Sequence, residues 1–149
     1  MTTLRIVTEI AAPIEACFDL SRSIDLHLES MVASREQAVA GVTSGLIGPG
    51  QQVSWEAHHL GVSWRMTSEI TAFDRPRRFV DEMVRGPFAW FRHEHRFTEH
   101  GDGTLMTDVV GFRMGLGPIG PAADLVAGVY LRRLMAIRNR AIKARAEDG

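Results

Sequence analysis

Seven consecutive residues, Phe91-Arg92-His93-Glu94-His95-Arg96-Phe97, alternate without a break. Phe91, His93, His95 and Phe97 fall on one side, and Arg92, Glu94 and Arg96 on the other. A period of two marks a β-strand with one wet face, because successive side chains point to opposite sides of a sheet. The three charged residues identify the solvent side. The inner side therefore carries two histidines between two phenylalanines, where a close-packed core would take Val or Ile. Two titratable rings on an inner face imply a hydrogen-bonded network in the core or the wall of a ligand cavity.

The rest of the chain supplies neighbours for this strand. Thr3 to Ala11 alternates as a strand that ends before Pro13, which cannot continue a ladder but suits a helix start. Ile14 to Leu20 then reads as a short helix, and Ser23 caps a second one running to Ser30. Further strands are expected over Arg35 to Gly41, Gln51 to His59, Val62 to Phe73, Arg77 to Arg85, Phe88 to Thr98 and Thr104 to Met114. Leu60-Gly61, Gly86-Pro87 and Gly101-Asp102-Gly103 join consecutive strands as tight turns. Two glycine-rich crossings, Gly45 to Gly50 and Gly115 to Gly120, are candidate lids. A long helix from Ala122 to about Ala146 closes the chain, with Gly120 as its expected N-cap and Gly128 as a point of close approach to the sheet. A strand, two short helices, about six antiparallel strands and one long helix make an α+β domain spanning residues 1–149, with no internal repeat or linker.

Composition excludes several classes of function. A formal net charge of -1 over 149 residues gives no general attraction to nucleic acid. The C-terminal end is locally basic, and Arg132, Arg133, Arg138, Arg140, Lys143 and Arg145 read as the solvated face of the helix. Cys17, the one cysteine, lies in an apolar stretch and reads as a buried structural thiol. The start at Met1 has no signal-peptide pattern and no apolar run is long enough to span a bilayer. A cytoplasmic protein with no integral membrane association is expected, as a monomer or a homodimer.

Several stretches carry a family resemblance. They are Ile10-Ala-Ala-Pro13 leading into Ala16-Cys-Phe-Asp-Leu20, Gly50-Gln-Gln-Val-Ser-Trp55, Phe73-Asp-Arg-Pro76 with Arg78-Phe79, the Phe91–Phe97 strand, Gly103-Thr-Leu-Met-Thr-Asp108 and the closing helix. With them the sequence resembles the START-like, SRPBCC superfamily of polyketide cyclases/dehydrases and lipid-transport proteins. The resemblance implies a helix-grip fold, in which a curved seven-stranded antiparallel sheet wraps a long C-terminal helix around an apolar cavity. It implies no metal and no cofactor, and it carries over no catalytic residue.

The turns also set the register of the strands. Across Gly101-Asp102, His95 faces Asp108 and Phe97 faces Met106. Around Gly86-Pro87, Asp81 falls beside His93 and Met83 beside Phe91. Across Leu60-Gly61, His59 meets Val62, Ala57 meets Trp64 and Trp55 meets Met66. The expected ligand-binding wall is thus Trp55, His59, Trp64, Met66, Asp81, Met83, Phe91, Phe97 and Met106, closed from the helix by Leu125, Val129, Tyr130 and Leu134. Three readings of its polar strip stay open. His95–Asp108 and Asp81–His93 are structural pairs; or they orient a hydrophobic small molecule or move a proton, with His93, His95 and Asp108 as the catalytic set; or His93-x-His95 with His59 or an aspartate ligates a metal, for which the spacing alone is not specific. The functional expectation is binding of a hydrophobic small molecule, such as a lipid, a polyketide or an aromatic-like compound. The alternatives are a polyketide cyclase/dehydrase-type enzyme, and a non-catalytic interaction or stress-response module acting through Arg132, Arg138 and Arg140.

Overall fold

The computed structural model describes residues 2–149, so Met1 lies outside the described residues. Its elements run β1 (Thr2–Ile10), α1 (Ile14–Ser21), α2 (Ile24–Ser30), β2 (Gln37–Gly41), β3 (Gln52–His59), β4 (Val62–Asp74), β5 (Arg78–Arg85), β6 (Trp90–His100), β7 (Gly103–Arg113) and α3 (Gly120–Asp148). Single 3-10 turns precede β2 at Val32–Ser34 and α3 at Gly117–Ile119. The strands form one seven-stranded sheet in the order β1-β7-β6-β5-β4-β3-β2, antiparallel at every joint. Register shifts between Ala38 and Ala40 in β2 and at two points along β4 bend the sheet. It curves around α3 in a helix-grip arrangement, with α1 and α2 at one end. No helix among the described residues is long and apolar enough to cross a membrane.

The local chemistry accounts for the element ends. Ser23 caps α2 by accepting the Leu26 amide at 3.1 Å. The β3–β4 hairpin turns on Leu60 and Gly61, both at positive φ, which matches the twist of the strands it joins. Gly41, at φ +72, is required at the end of β2, because a Cβ there would run into the Gln52 carbonyl. Several ends differ from expectation by one or two residues, β6 among them, which runs from Trp90 to His100 and not from Phe88 to Thr98. Arg35 is left-handed (φ 51) at the end of a 3-10 turn, so β2 starts at Gln37 rather than Arg35. Ile119, not Gly120, is the N-cap of α3, because the 3-10 turn feeds directly into the helix.

Apolar side chains gather in two clusters. The first lies under α1 and α2 and the C-terminal half of α3. Phe18 is fully buried at its centre, with its ring edge-on to Phe73, Phe79 and Phe97 at centroid distances of 5.3, 5.2 and 5.3 Å. The second joins Leu4, Phe91, Val110 and Phe112, with Ala127, Leu131 and Met135 of α3 packed on it. Both draw on the same two strands: β6 gives Phe97 to one and Phe91 to the other, and β7 gives Met106 and then Val110 and Phe112. Between them along these strands stand His93, His95 and Asp108.

The phase of α3 follows from its sheet contacts. Gly128 is buried over Phe112 and Leu4, and Asp124 accepts the Met114 amide at 2.8 Å. With Arg138, Asn139 and Ile142 these residues define the inward stripe. Leu125 and Val129 each follow an inward residue by one position, about 100° around the helix. They point outward at 71% and 70% exposure, so they do not close a cavity, contrary to the sequence-based expectation.

Since Phe18 joins three aromatic neighbours in a space without slack, Phe18→Ala is expected to cost about 3–5 kcal/mol. Urea unfolding at constant m-value reads this as a lowered midpoint, and a loss below about 1 kcal/mol would contradict the packing described.

Candidate functional site

A cavity of about 660 Å³ lies between the sheet and α3. Its existence has a steric reason: Ala122, Ala123 and Ala127 of α3 and Ala57 and Ser68 of the sheet present small side chains where large ones would fill the space. From the strands, Trp55, His59, Trp64, Met66, Asp81, Phe91, His93 and His95 line it, and from α3, Tyr130 and Leu134. Eight of these belong to the wall expected from sequence, and His93 and His95 to its polar strip. Of the others, Phe97 and Met106 are 3% and 0% exposed in the first cluster, beneath α1. Met83 packs with Met66 on the second cluster, beyond Glu82–Arg92 where the β5–β6 ladder ends. Asp108 is fully buried behind the histidines and does not reach the cavity. Leu125 and Val129, as described, face outward.

Strand register is as read from the sequence, with His95 opposite Asp108 and His93 opposite Asp81. The hydrogen bonds are nevertheless the diagonal ones. His93 Nε2 bonds Asp108 Oδ1 at 2.7 Å, and His95 Nε2 bonds Asp81 Oδ2 at 2.6 Å. The directly opposed pairs are longer, 3.6 Å for His95 Nδ1 to Asp108 and 4.0 Å for His93 Nδ1 to Asp81. Ring stacking is the cause of the exchange. The imidazoles lie face to face at 3.7 Å, and Phe79 covers the other face of His95 at 3.9 Å, so each ring leans along the strand toward the diagonal partner.

The network extends into α3 through Arg138, which on sequence grounds belongs to a solvated face. Its side chain is instead buried, 4% exposed, and crosses the interior. Nη1 donates to Asn139 Oδ1 at 2.9 Å and to Asp108 Oδ1 at 3.4 Å. Nη2 donates to the Ser21 carbonyl at 3.2 Å and to His95 Nδ1 at 3.3 Å. Asn139 donates to Asp108 Oδ2 at 2.8 Å and to Thr8 Oγ1 at 3.2 Å. Each bond constrains a tautomer. Because Arg138 donates to His95 Nδ1, the His95 proton sits on Nε2 and goes to Asp81; His93 likewise donates from Nε2 to Asp108. One sequence signal could have located Arg138: it is eighteen residues, five whole turns, after Gly120 and four before Ile142, on the inward stripe of the helix.

The charges follow from these contacts. Burial disfavours the His95 cation, the neighbouring His93 adds to the effect, and its pKa falls to about 4. Burial by itself would raise the Asp108 pKa, yet the His93 hydrogen bond and the Arg138 charge outweigh it and hold the carboxyl well below the usual range. Asp81 is lowered in the same way, with burial opposed by the His95 hydrogen bond and the charges of the two histidines and Arg138. Asp81 keeps 21% of its side-chain surface and lines the cavity, so it is the carboxylate a ligand can meet.

Two smaller polar contacts line the same space. His59 Nδ1 and the Tyr130 hydroxyl meet at 2.9 Å and tie the β3–β4 hairpin to α3. His27 Nε2 meets Glu36 Oε1 at 2.6 Å, with the ring 4.3 Å from that of Trp55. His27, Glu36 and Arg22 line the cavity and are absent from the wall expected from sequence. They come from the α2 region and the approach to β2, whose placement over the sheet no local pattern encodes.

The family model described as polyketide cyclase / dehydrase and lipid transport matches residues 1–147. No curated protein matches the sequence. Solved structures share the fold at low identity. The protein TTHA0849 from Thermus thermophilus is 16% identical, with a TM-score of 0.79 and 97% of each chain covered. A START superfamily protein from Mycobacterium smegmatis is 17% identical, with a TM-score of 0.73 over 98% of this chain and 97% of its own. Protein Ms6760 from the same species is 22% identical, with a TM-score of 0.70 over 95% of this chain and 88% of its own.

The charge state of the network sets a pH dependence. Folding lowers the His95 pKa from 6.5 to about 4, so the unfolded chain binds more protons within that window. Stability is complete above pH 6.5 and is lost as the pH falls toward 4, by on the order of 3 kcal/mol from this one group. The lowered pKa values of Asp81 and Asp108 carry the loss further into acid. Urea midpoints measured from about pH 7 to pH 4 are expected to fall, and to fall less in His95→Gln; an identical pH slope in the variant would remove His95 as the source.

Proposed function

We propose, for a chain that belongs to the polyketide cyclase / dehydrase and lipid transport family, that it binds a hydrophobic small molecule between the sheet and α3. The observation that carries this reading is the cavity: about 660 Å³ of mostly apolar wall with a few polar groups, among them Asp81, His93 and His95 side by side. That is the size and chemistry of a small-molecule site. Trp55, Trp64, Met66, Phe91, Tyr130 and Leu134 provide area for an apolar or aromatic body, and the thioether of Met66 adapts to its outline. Asp81, the exposed member of the network, accepts a hydrogen bond from a ligand hydroxyl. Such a ligand competes with His95 for Asp81 and is held at the same end of the cavity each time.

A second reading, proton transfer in a cyclisation or dehydration, is favoured by one feature. Asp108, itself held by Arg138 and Asn139, fixes the His93 tautomer and leaves Nδ1 with a free lone pair. This places the acid/base role on His93 and Asp108. His95 fits it poorly: with a pKa of about 4 it is not an imidazolium at neutral pH, so it is neither a strong acid nor a strong acceptor. Of the three arginines of the interaction-module alternative, Arg138 is buried, while Arg132 and Arg140 are exposed.

Native mass spectrometry of freshly purified protein tests the main reading, with expected retention of an apolar small molecule or uptake of a fluorescent naphthalene probe. Leu134→Trp, which fills the cavity, is expected to weaken probe binding at least about tenfold with little change in melting temperature. Wild-type protein that takes up neither, or a variant that binds the probe as well as wild type, would sink the proposal.

A further inference from the structure

Asp81, His93 and His95 are the one group among the described residues in which three metal-ligating side chains converge, with a donor atom of each within 4.8 Å of the others. We propose that this group binds a divalent transition ion of zinc or ferrous type through Asp81 Oδ2, His93 Nδ1 and His95 Nε2, with further coordination positions open to the cavity. Placement of the ion site does not depend on the identity of any organic ligand. What the ion would do does rest on the cavity reading: it would polarise a carbonyl or hydroxyl oxygen of the molecule held there.

Four observations carry the proposal. The donors stand on paired strands: His93 and His95 share the inner face of β6, and Asp81 lies opposite His93 on β5. The surrounding hydrogen bonds are those a metal-bound imidazole uses. His93 gives its Nε2 proton to Asp108, which orients the ring and leaves Nδ1 as the ligand atom. Asp108 is in turn fixed by Arg138 and Asn139. Charge also favours a cation. Two carboxylates, Asp81 and Asp108, stand around the two imidazoles, and one guanidinium, Arg138, faces them. Finally, Asp81, His93 and His95 all line the cavity, so coordination positions remain for a ligand. Two imidazoles and one carboxylate suit zinc or ferrous iron, not magnesium or calcium, which take oxygen donors.

The adjustment needed is small. Asp81 Oδ2 is 2.6 Å from His95 Nε2 and 4.0 Å from His93 Nδ1. An ion with bonds of about 2.0–2.2 Å places its donors about 3.0–3.5 Å apart, the larger value for tetrahedral zinc. One gap opens and the other closes by about half to one ångström, within reach of χ rotation. His95 must also shift its proton from Nε2 to Nδ1. Asp108 Oδ1, 3.6 Å away, would accept it once the ring moves about half an ångström closer; the Arg138 bond to His95 Nδ1 would be given up, and Arg138 would keep its bonds to Asp108, Asn139 and the Ser21 carbonyl. The proton count of the protein is unchanged by this shift.

Cobalt(II) titration of the full chain, followed by visible d–d absorption and by calorimetry with zinc(II), tests the site. One equivalent is expected to bind saturably. Asp81→Asn and His95→Gln should each weaken binding about tenfold or more. Asp108→Asn should keep the cobalt spectrum while weakening affinity about 10–100-fold, as loss of a supporting hydrogen bond does. His58→Ala, an exposed histidine outside the cavity, should bind as wild type does. Histidine-ring nitrogen NMR of the unmutated protein gives the same answer without relying on variants: zinc should shift His93 Nδ1 and His95 Nε2. No saturable uptake, uptake indifferent to Asp81→Asn and His95→Gln, or unmoved ring resonances would overturn the ion site. Naphthalene-probe binding without metal would still report on the cavity, so the two failures are separable.

Discussion

The contact between Arg138 and Asp108 governs the interior of this protein. Asp108 has no exposed surface, and an isolated buried carboxylate costs several kcal/mol in lost hydration. Here His93, Arg138 and Asn139 all point donors at it. Through Arg138 the same carboxylate is tied to α1, by the Ser21 carbonyl, and to β6, by His95. Through Asn139 it reaches β1. Helix α3 is thus fixed in rotation and in height over the sheet by polar bonds of definite direction. Apolar packing alone would permit small slides.

This polar layer divides the core. On one side Phe18, Phe79 and Phe97 pack under α1, and on the other Phe91, Val110 and Phe112 pack under the first half of α3. No buried side-chain polar atom among the described residues lacks a partner. Buried ionic networks are often no more stabilising than a well-packed apolar substitute of the same shape. Their value lies in specifying one arrangement, and here the arrangement has one edge, Asp81 with the two imidazoles, that borders a cavity. The small residues of α3 leave the room, and the stacked rings of Phe79, His95 and His93 give its polar end a rigid wall.

The strand ladder was legible in the sequence because its signals are local. Alternation in Phe91–Phe97 named the inner face, and two-residue turns at Leu60-Gly61 and Gly101-Asp102 counted out the partners of His59, His95 and Phe97. The eight wall residues on the strands followed from that. Side-chain direction did not follow. Register sets which Cα atoms face each other, but ring stacking turned His93 and His95 to the diagonal carboxylates. Phe97 and Met106 share the inner face with the wall residues, yet α1 covers them, and nothing in β6 or β7 announces where α1 will lie.

By itself, then, the sequence determined the element order, the antiparallel register, the helix-grip class and a polar strip in an apolar setting. The helix-grip class came with the family resemblance; the others are written in spacings of two, of about 3.6 or of a turn. Tertiary structure alone decided how α3 is rotated. An alternative rotation by one residue would have put Leu125 and Val129 over the sheet. Packing of Gly128 on Phe112 and the donors demanded by Asp108 turned Arg138 and Asn139 inward instead. An arginine in a basic helix looks solvated from the sequence, because the buried carboxylate that requires it is 30 residues away on another element.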